Sequence, residues 1–207
     1  MATVLSKGEL NKIIAFARRK CNSNDFVHRS DHMELTVRIA DFLARREHAD
    51  VEICVVAAYF HDLGRQIIKN KHGLIGARIA RGFLKKLKLP RIFINAVCYT
   101  VAQHDTGSPK RTREAKVLWD ADKLQSVGPL GFLRIYSHYL MFERYDIYTA
   151  THRTKKLQDF FYQRFQTKSG KILAKKLHFF MRDFYVFLDL IKNIKVPATR
   201  TPRLLTP

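Results

Sequence analysis

Acidic residues are scarce in this chain. Its 207 residues hold 18 Asp and Glu against 38 Lys and Arg, for a formal net charge of +20. A field of that sign disfavours cationic partners and attracts anions: phosphates, nucleotides, nucleic acid or anionic membrane, without choosing among them. Cysteine is scarce too. Cys21, Cys54 and Cys98 are odd in number, far apart and set among apolar residues, with no CxxC. That excludes a disulfide framework and a thiolate zinc or redox motif, and fits reduced core residues of a cytoplasmic protein. Long hydrophobic runs are missing. The longest, residues 53–60, is far too short to cross a bilayer, and "MATVLSKGEL" has no signal-peptide pattern. No period-2 alternation marks a strand.

What is present is helical periodicity, with start and stop signals. Ser6-x-x-Glu9 is a capping-box pattern that opens a helix running to about Lys20. A second helix spans residues 30–46, with His32, Ile39, Ala40 and Leu43 close to one stripe. Asp50 caps a third, which Gly64 stops. Residues 72–87 and 90–104 make a fourth and a fifth, and Thr112 opens a sixth through Leu124. Gly128, Pro129 and Gly131 are expected to break the chain before a seventh. Two more cover about 148–165 and 169–193. The expected fold is all-α: one helical bundle with an added basic helical hairpin.

The C-terminal part differs in composition. From Tyr148 onward, 13 Lys and Arg face three Asp, with aromatics interleaved in "FFYQRF" and "HFFMRDFYVF". The plainer expectation is a hairpin that packs its aromatic face on the core and solvates its basic face. The sharper one is a nucleic-acid or polyphosphate surface. Residues 1–145 thus read as the main helical domain and 146–195 as the extension packed on it. The proline-containing stretch 196–207 reads as a loose tail.

The stretch "AAYFHDLGR" ends a buried run on two ionisable side chains, His61 and Asp62. Burying such a pair is costly unless something binds it. Neighbours on a helix point about 100° apart, so both reach one ion only near a helix end. A divalent metal suits imidazole with carboxylate, and its other ligands must come from other helices. His32, on the core-facing stripe of the second helix, and Asp122, in "LWDADKL", are the candidates.

The order His … His-Asp … Asp on separate helices resembles the HD-domain metal-dependent phosphohydrolase superfamily, particularly its small stand-alone hydrolases. "DFVHRSDHMELTVRIADFLA", "AAYFHDLGR" and "EAKVLWDADKLQSVGPLG" resemble the segments that carry its motif. "HGLIGARIA" and "VAQHDTG" resemble two helices that each add a histidine. Together these cover about residues 20–135. The resemblance implies that His32, His61, Asp62 and Asp122 bind a first metal. It implies that His72 and His104 bind a second, with Asp62 bridging and central to catalysis. Asp120 becomes an outer-shell group holding a ligand or a water, and Lys123 a point charge on a phosphate oxygen. Arg65 follows the motif and is a further candidate substrate contact. The implied cofactor is one or two divalent ions, Mn²⁺ or Fe²⁺ favoured over Mg²⁺, Co²⁺, Ni²⁺ or Zn²⁺. The implied chemistry is attack of a metal-activated water on phosphorus.

Small relatives often read His-Asp-x-x-His-x-x-Arg at the opening helix, whereas "HRSDHMEL" has Arg29 and Leu35 at the second and last positions. The tripeptide GYP and the pattern HDxxED, which mark two other branches, do not occur. His72 also reads as a surface residue at a helix start, and His104 as a helix-end cation. His28 reads as a loop residue that at most touches substrate. His48, His138, His152 and His178 match nothing. Two functions stay open. One is an enzyme that hydrolyses a phosphorylated small molecule, foremost a nucleotide. The other is a catalytically reduced HD fold that binds nucleic acid through its basic C-terminal region.

Overall fold

The computed structural model describes residues 4–21, 26–68, 70–105 and 110–192. The tail 196–207 lies outside them. Every regular element among them is helical: α1 (Lys7–Lys20), α2 (Ser30–Arg46), α3 (Val51–Phe60), α4 (His72–Lys86), α5 (Arg91–Gln103), α6 (Arg113–Lys123), α7 (Gly128–Met141), α8 (Ile147–Tyr162) and α9 (Lys168–Lys192). Short 3-10 turns at Phe26–His28, Leu63–Gln66 and Leu124–Ser126 lie between them. The all-α expectation is the fold observed, and no described helix is long and apolar enough to cross a membrane.

Capping accounts for several of the boundaries. Ser6 Oγ accepts from the Glu9 amide at 3.2 Å while Glu9 Oε2 accepts from the Ser6 amide at 2.8 Å, a reciprocal box. Asp50 accepts from the Ile53 amide and Thr112 from the Ala115 amide, each at 3.1 Å. One expectation needs correction. Gly128 and Pro129 do not interrupt the chain before α7; they begin it, and Gly131 sits in its first turn. Pro tolerates the first helical turn because its missing N–H has no intrahelical partner there. Gly131 packs directly on the Ser126 backbone, where a Cβ would collide.

α3 is the central element. Six of its last seven residues are buried, and it packs against α1, α2, α4, α5 and α6. Its run of apolar residues is therefore a helix covered on all sides. Met33, Leu43, Phe60, Leu84 and Leu118 fill the core around it. α7, α8 and α9 pack on one another, and α9 also touches α2 and α6. On these C-terminal helices Met181 and Tyr185 are buried, as is Phe165 in the link between α8 and α9, but Phe160, Phe179, Phe180 and Phe187 are exposed. The aromatic side chains of α8 and α9 thus do not form the single core-facing surface expected.

Candidate metal centre

α3 ends at Phe60, and His61 and Asp62 occupy the turn that follows, with Asp62 at φ −99° and ψ 0°. His61 keeps helical dihedrals, φ −54° and ψ −46°, and Asp62 departs from them, with both side chains turned inward. Gly64 then passes against the start of α4, where an added Cβ would overlap the His72 carbonyl. That close approach sets His72 beside Asp62.

Two groups of donors meet. His32 Nε2 lies 3.2 Å from His61 Nε2, 3.3 Å from Asp122 Oδ1 and 3.5 Å from Asp62 Oδ2. His72 Nε2 lies 2.9 Å from His104 Nε2 and 3.0 Å from Asp62 Oδ1, which is 3.5 Å from His104 Nε2. Asp62 therefore offers one oxygen to each group. α2, α6 and the end of α3 supply the first group, and the start of α4 and the end of α5 supply the second. All four imidazoles are buried, so neither His72 nor His104 is a surface residue.

The other ring nitrogen of each histidine faces an oxygen. His61 Nδ1 donates to the Ala58 carbonyl and His104 Nδ1 to the Val101 carbonyl, both at 2.7 Å. His32 Nδ1 meets Gln125 Oε1 and His72 Nδ1 meets Asp105 Oδ2, both at 3.2 Å. Carbonyl oxygens only accept, so the proton of these rings sits on Nδ1 and the Nε2 lone pair points into the centre. Lone pairs 2.9 and 3.2 Å apart, beside two carboxylates, repel unless a cation lies between them. The donor set thus fits one or two metal ions on chemical grounds.

The electrostatics agree. Burial alone would push the His61 imidazole down, but the charges of Asp62 and Asp122 outweigh it and raise its pKa to about 9. Burial likewise disfavours the charged forms of Asp62 and Asp122, yet both carboxyls are held well below their ordinary range, Asp62 by the charge of His61 and hydrogen bonds from the surrounding histidines and Asp122 by the charge of Lys123 and a hydrogen bond from His32. Burial leaves His104 below its ordinary value.

A cleft of about 320 Å³ opens beside the first group, lined by His28, His32, Arg65, Asp122 and Lys123 and walled on the far side by α7 and α8. Lys123 Nζ contacts Asp122 Oδ2 at 2.6 Å and sits 5.2 Å from the ring centres of both Trp119 and Phe161. Arg65 is half-buried at the rim. His138, which matched nothing in the sequence, is in the α7 wall.

Asp120 requires a correction. It neither joins this centre nor holds one of its ligands. Its carboxylate accepts from the Gln166 amide at 3.0 Å and from the Thr167 amide and hydroxyl at 2.7 and 2.6 Å, capping the start of α9. Burial pushes its carboxyl up to about 6 against the pull of those donors. Gln125 and Asp105, which orient His32 and His72, were not identified from sequence. The nearest signal for Asp105 was its place directly after His104.

Comparison with known proteins agrees with this architecture. Residues 29–126 match the HD domain family. An HD-superfamily hydrolase from Bacillus thuringiensis is 20% identical at a TM-score of 0.74, with 91% of this chain and 99% of that one covered. A predicted HD superfamily hydrolase from an uncultured Thermotogales bacterium is 21% identical at 0.67, covering 89% and 93%. Bacillus subtilis YpgQ, solved in complex with ADP, is 20% identical at 0.67, covering 88% and 97%. At these identities the likeness is one of fold. No curated protein matches the sequence. The four motif residues stand on two helices and one turn, inside the segment that matches the HD domain family, in a fold that the chain shares along nearly its whole length with structures of HD-superfamily hydrolases.

Proposed function

We propose that the chain is a divalent-metal-dependent phosphohydrolase acting on a nucleotide or another small phosphoester. The observation that carries this reading is the pair of oxygens on Asp62, one toward His32 and one toward His72 and His104. That arrangement suits two ions sharing a carboxylate, and a mixed imidazole and carboxylate set favours Mn²⁺ or Fe²⁺. Ions bound there would supply an acidified water and a sink for the charge that develops on a phosphoryl group.

The chain's own residues set the rest. His32, His61, Asp62 and Asp122 would hold the first ion and His72, His104 and Asp62 the second. Lys123, fixed by Asp122 and by two aromatic rings, presents an oriented ammonium where a phosphoryl oxygen would lie. Arg65 adds a second cation at the rim. Val27, Ile135, Tyr139, Leu157 and Phe161 give the cleft an apolar side for the unreacting part of the substrate. The ADP complex of YpgQ supports a nucleotide as that substrate. Three buried free thiols support a reducing compartment, the cytoplasm. We assign the chemistry to residues 1–145 and treat 146–195 as a basic extension.

A second reading keeps the fold and reduces the catalysis: a nucleic-acid-binding protein. The 13 Lys and Arg against three Asp from Tyr148 onward favour it. Metal analysis of protein purified without chelator, followed by a phosphate-release screen over nucleotides and phosphoesters with Mn²⁺, Fe²⁺, Mg²⁺ and Co²⁺, decides between them. Bound metal with turnover of a small phosphoester supports the enzyme. Metal-free protein with no release on any substrate overturns it.

A further inference from the structure

α9 is apolar on two opposite faces. At about 100° per residue, the buried Ala174, Met181 and Tyr185 share one side of the helix. Ile172, Phe179, Phe180, Val186, Phe187 and Leu190 fall on an arc of roughly 120° on the other side. They are exposed, Phe180 at 64%, Val186 at 60%, Phe187 at 65% and Leu190 at 63%. The spacing from Ile172 to Phe179 to Val186, and from Phe180 to Phe187, keeps the stripe continuous along the helix. A soluble helix that is apolar on both sides has a second surface to bury, and a stripe of this extent marks an interaction site.

The charges around the stripe indicate what covers it. Lys171, Lys175 and Arg182 run along one edge, and Lys176 lies within it. Asp183 also lies within the stripe, but Arg182 contacts it at 3.1 Å. Lys175 and Arg182 approach the Phe179 ring to 5.7 and 5.3 Å, so cations cover that ring and bases have less of it to stack on. The branched aliphatic side chains Ile172, Val186 and Leu190 offer a base nothing to stack on either. A second copy of the chain would bring one net charge of +20 against another, which works against self-association.

We infer that this face of α9 docks on an anionic phospholipid surface. The phenylalanines and aliphatic residues enter the headgroup boundary, and the lysines and arginine along the edge reach the lipid phosphates. The helix then lies in the plane of the interface rather than across it. This inference is independent of the hydrolytic reading, because none of these residues lines the metal centre or its cleft.

The test is flotation of the full-length protein with vesicles of phosphatidylcholine alone or mixed with phosphatidylglycerol. Binding is expected to the mixed vesicles only and to fall with salt. The double variant Phe180→Ser/Phe187→Ser should bind about tenfold more weakly with its metal content and melting unchanged. Lys171→Glu/Lys175→Glu/Lys176→Glu should lose binding as well. No flotation with the mixed vesicles at low salt overturns the inference, as does flotation that the phenylalanine variant leaves untouched. Two other results overturn it. One is a doubled mass by light scattering that reverts in that variant, which gives the face to a second copy. The other is oligonucleotide binding, without vesicle binding, lost in the same variant.

Discussion

The side-chain oxygen of Gln125 lies 3.2 Å from Nδ1 of His32, while its amide nitrogen donates to the His32 carbonyl at 3.2 Å and to the Thr36 hydroxyl at 2.7 Å. The amide is thus oriented by two acceptors before it accepts from the imidazole, so it selects the tautomer whose Nε2 is free for a metal. Gln125→Ala should weaken the first ion by about 10- to 100-fold, the usual effect of losing a partner that orients a ligand. Saturating metal should restore full occupancy. Calorimetric titration of metal-free protein checks this; an unchanged dissociation constant would show that His32 is oriented without Gln125.

Asp62 and His104 should separate the two ions. Asp62→Ala takes an oxygen from each group and should leave little metal of either kind. His104→Ala should lower the content by about one equivalent per chain and keep the ion held by His32, His61 and Asp122. Elemental analysis after gel filtration measures both. A His104 variant with the wild-type metal content would leave a mononuclear site.

Asp120→Ala should damage the fold rather than the metal centre. It strands two backbone amides and a hydroxyl at the start of α9. Buried donors left without acceptors cost about 1–3 kcal/mol each, partly relieved by water, so a loss of about 3 kcal/mol in urea unfolding is expected. Metal stoichiometry of the folded variant should match the wild type. If metal is lost while stability holds, Asp120 acts on the ligands after all.

The metal-free chain should lose stability as pH rises. His61 has its folded pKa raised from 6.5 to about 9. Its protonated form is favoured by folding, so that stabilisation is complete below the unfolded value and disappears as pH passes through the folded one. Melting of metal-free protein should therefore fall between about pH 6.5 and 9. A divalent ion displaces the proton and should flatten the profile, releasing protons as it binds. A flat profile in the metal-free chain would mean that no proton occupies the centre.

Helix positions were readable from local chemistry. Ser6, Asp50 and Thr112 are caps whose function is complete within three residues. His61 and Asp62 stood out as candidates because the pair ends a buried helix, a conflict with hydrophobic burial that a metal would resolve, whereas His72 and His104 came only with the family resemblance. Gln125 was not readable, since its partner His32 is 93 positions away and nothing local distinguishes it from a surface glutamine. Asp120 was misread because two aspartates flanking one alanine suggest a common task, whereas positions two apart on a helix point to nearly opposite sides. α9 shows a further limit. Apolar residues on two opposed faces both keep helical period, so periodicity identifies the helix without saying which face the rest of the chain covers.

The ligands of the centre are charged unequally to what they would hold. Four imidazoles are neutral as donors, and Asp62 and Asp122 together carry two negative charges. Those charges would match one divalent ion, and a second, with the Lys123 ammonium beside Asp122, would leave the centre with a positive surplus in a buried place where charge is costly. With both ions bound, that surplus would make the centre an anion receptor in its own right, neutralised by a phosphate dianion arriving through the Lys123 side. Substrate and second ion should therefore bind cooperatively, each lowering the cost of burying the other. By thermodynamic reciprocity, inorganic phosphate should strengthen retention of the ion at His72 and His104 to the same degree that this ion strengthens retention of phosphate.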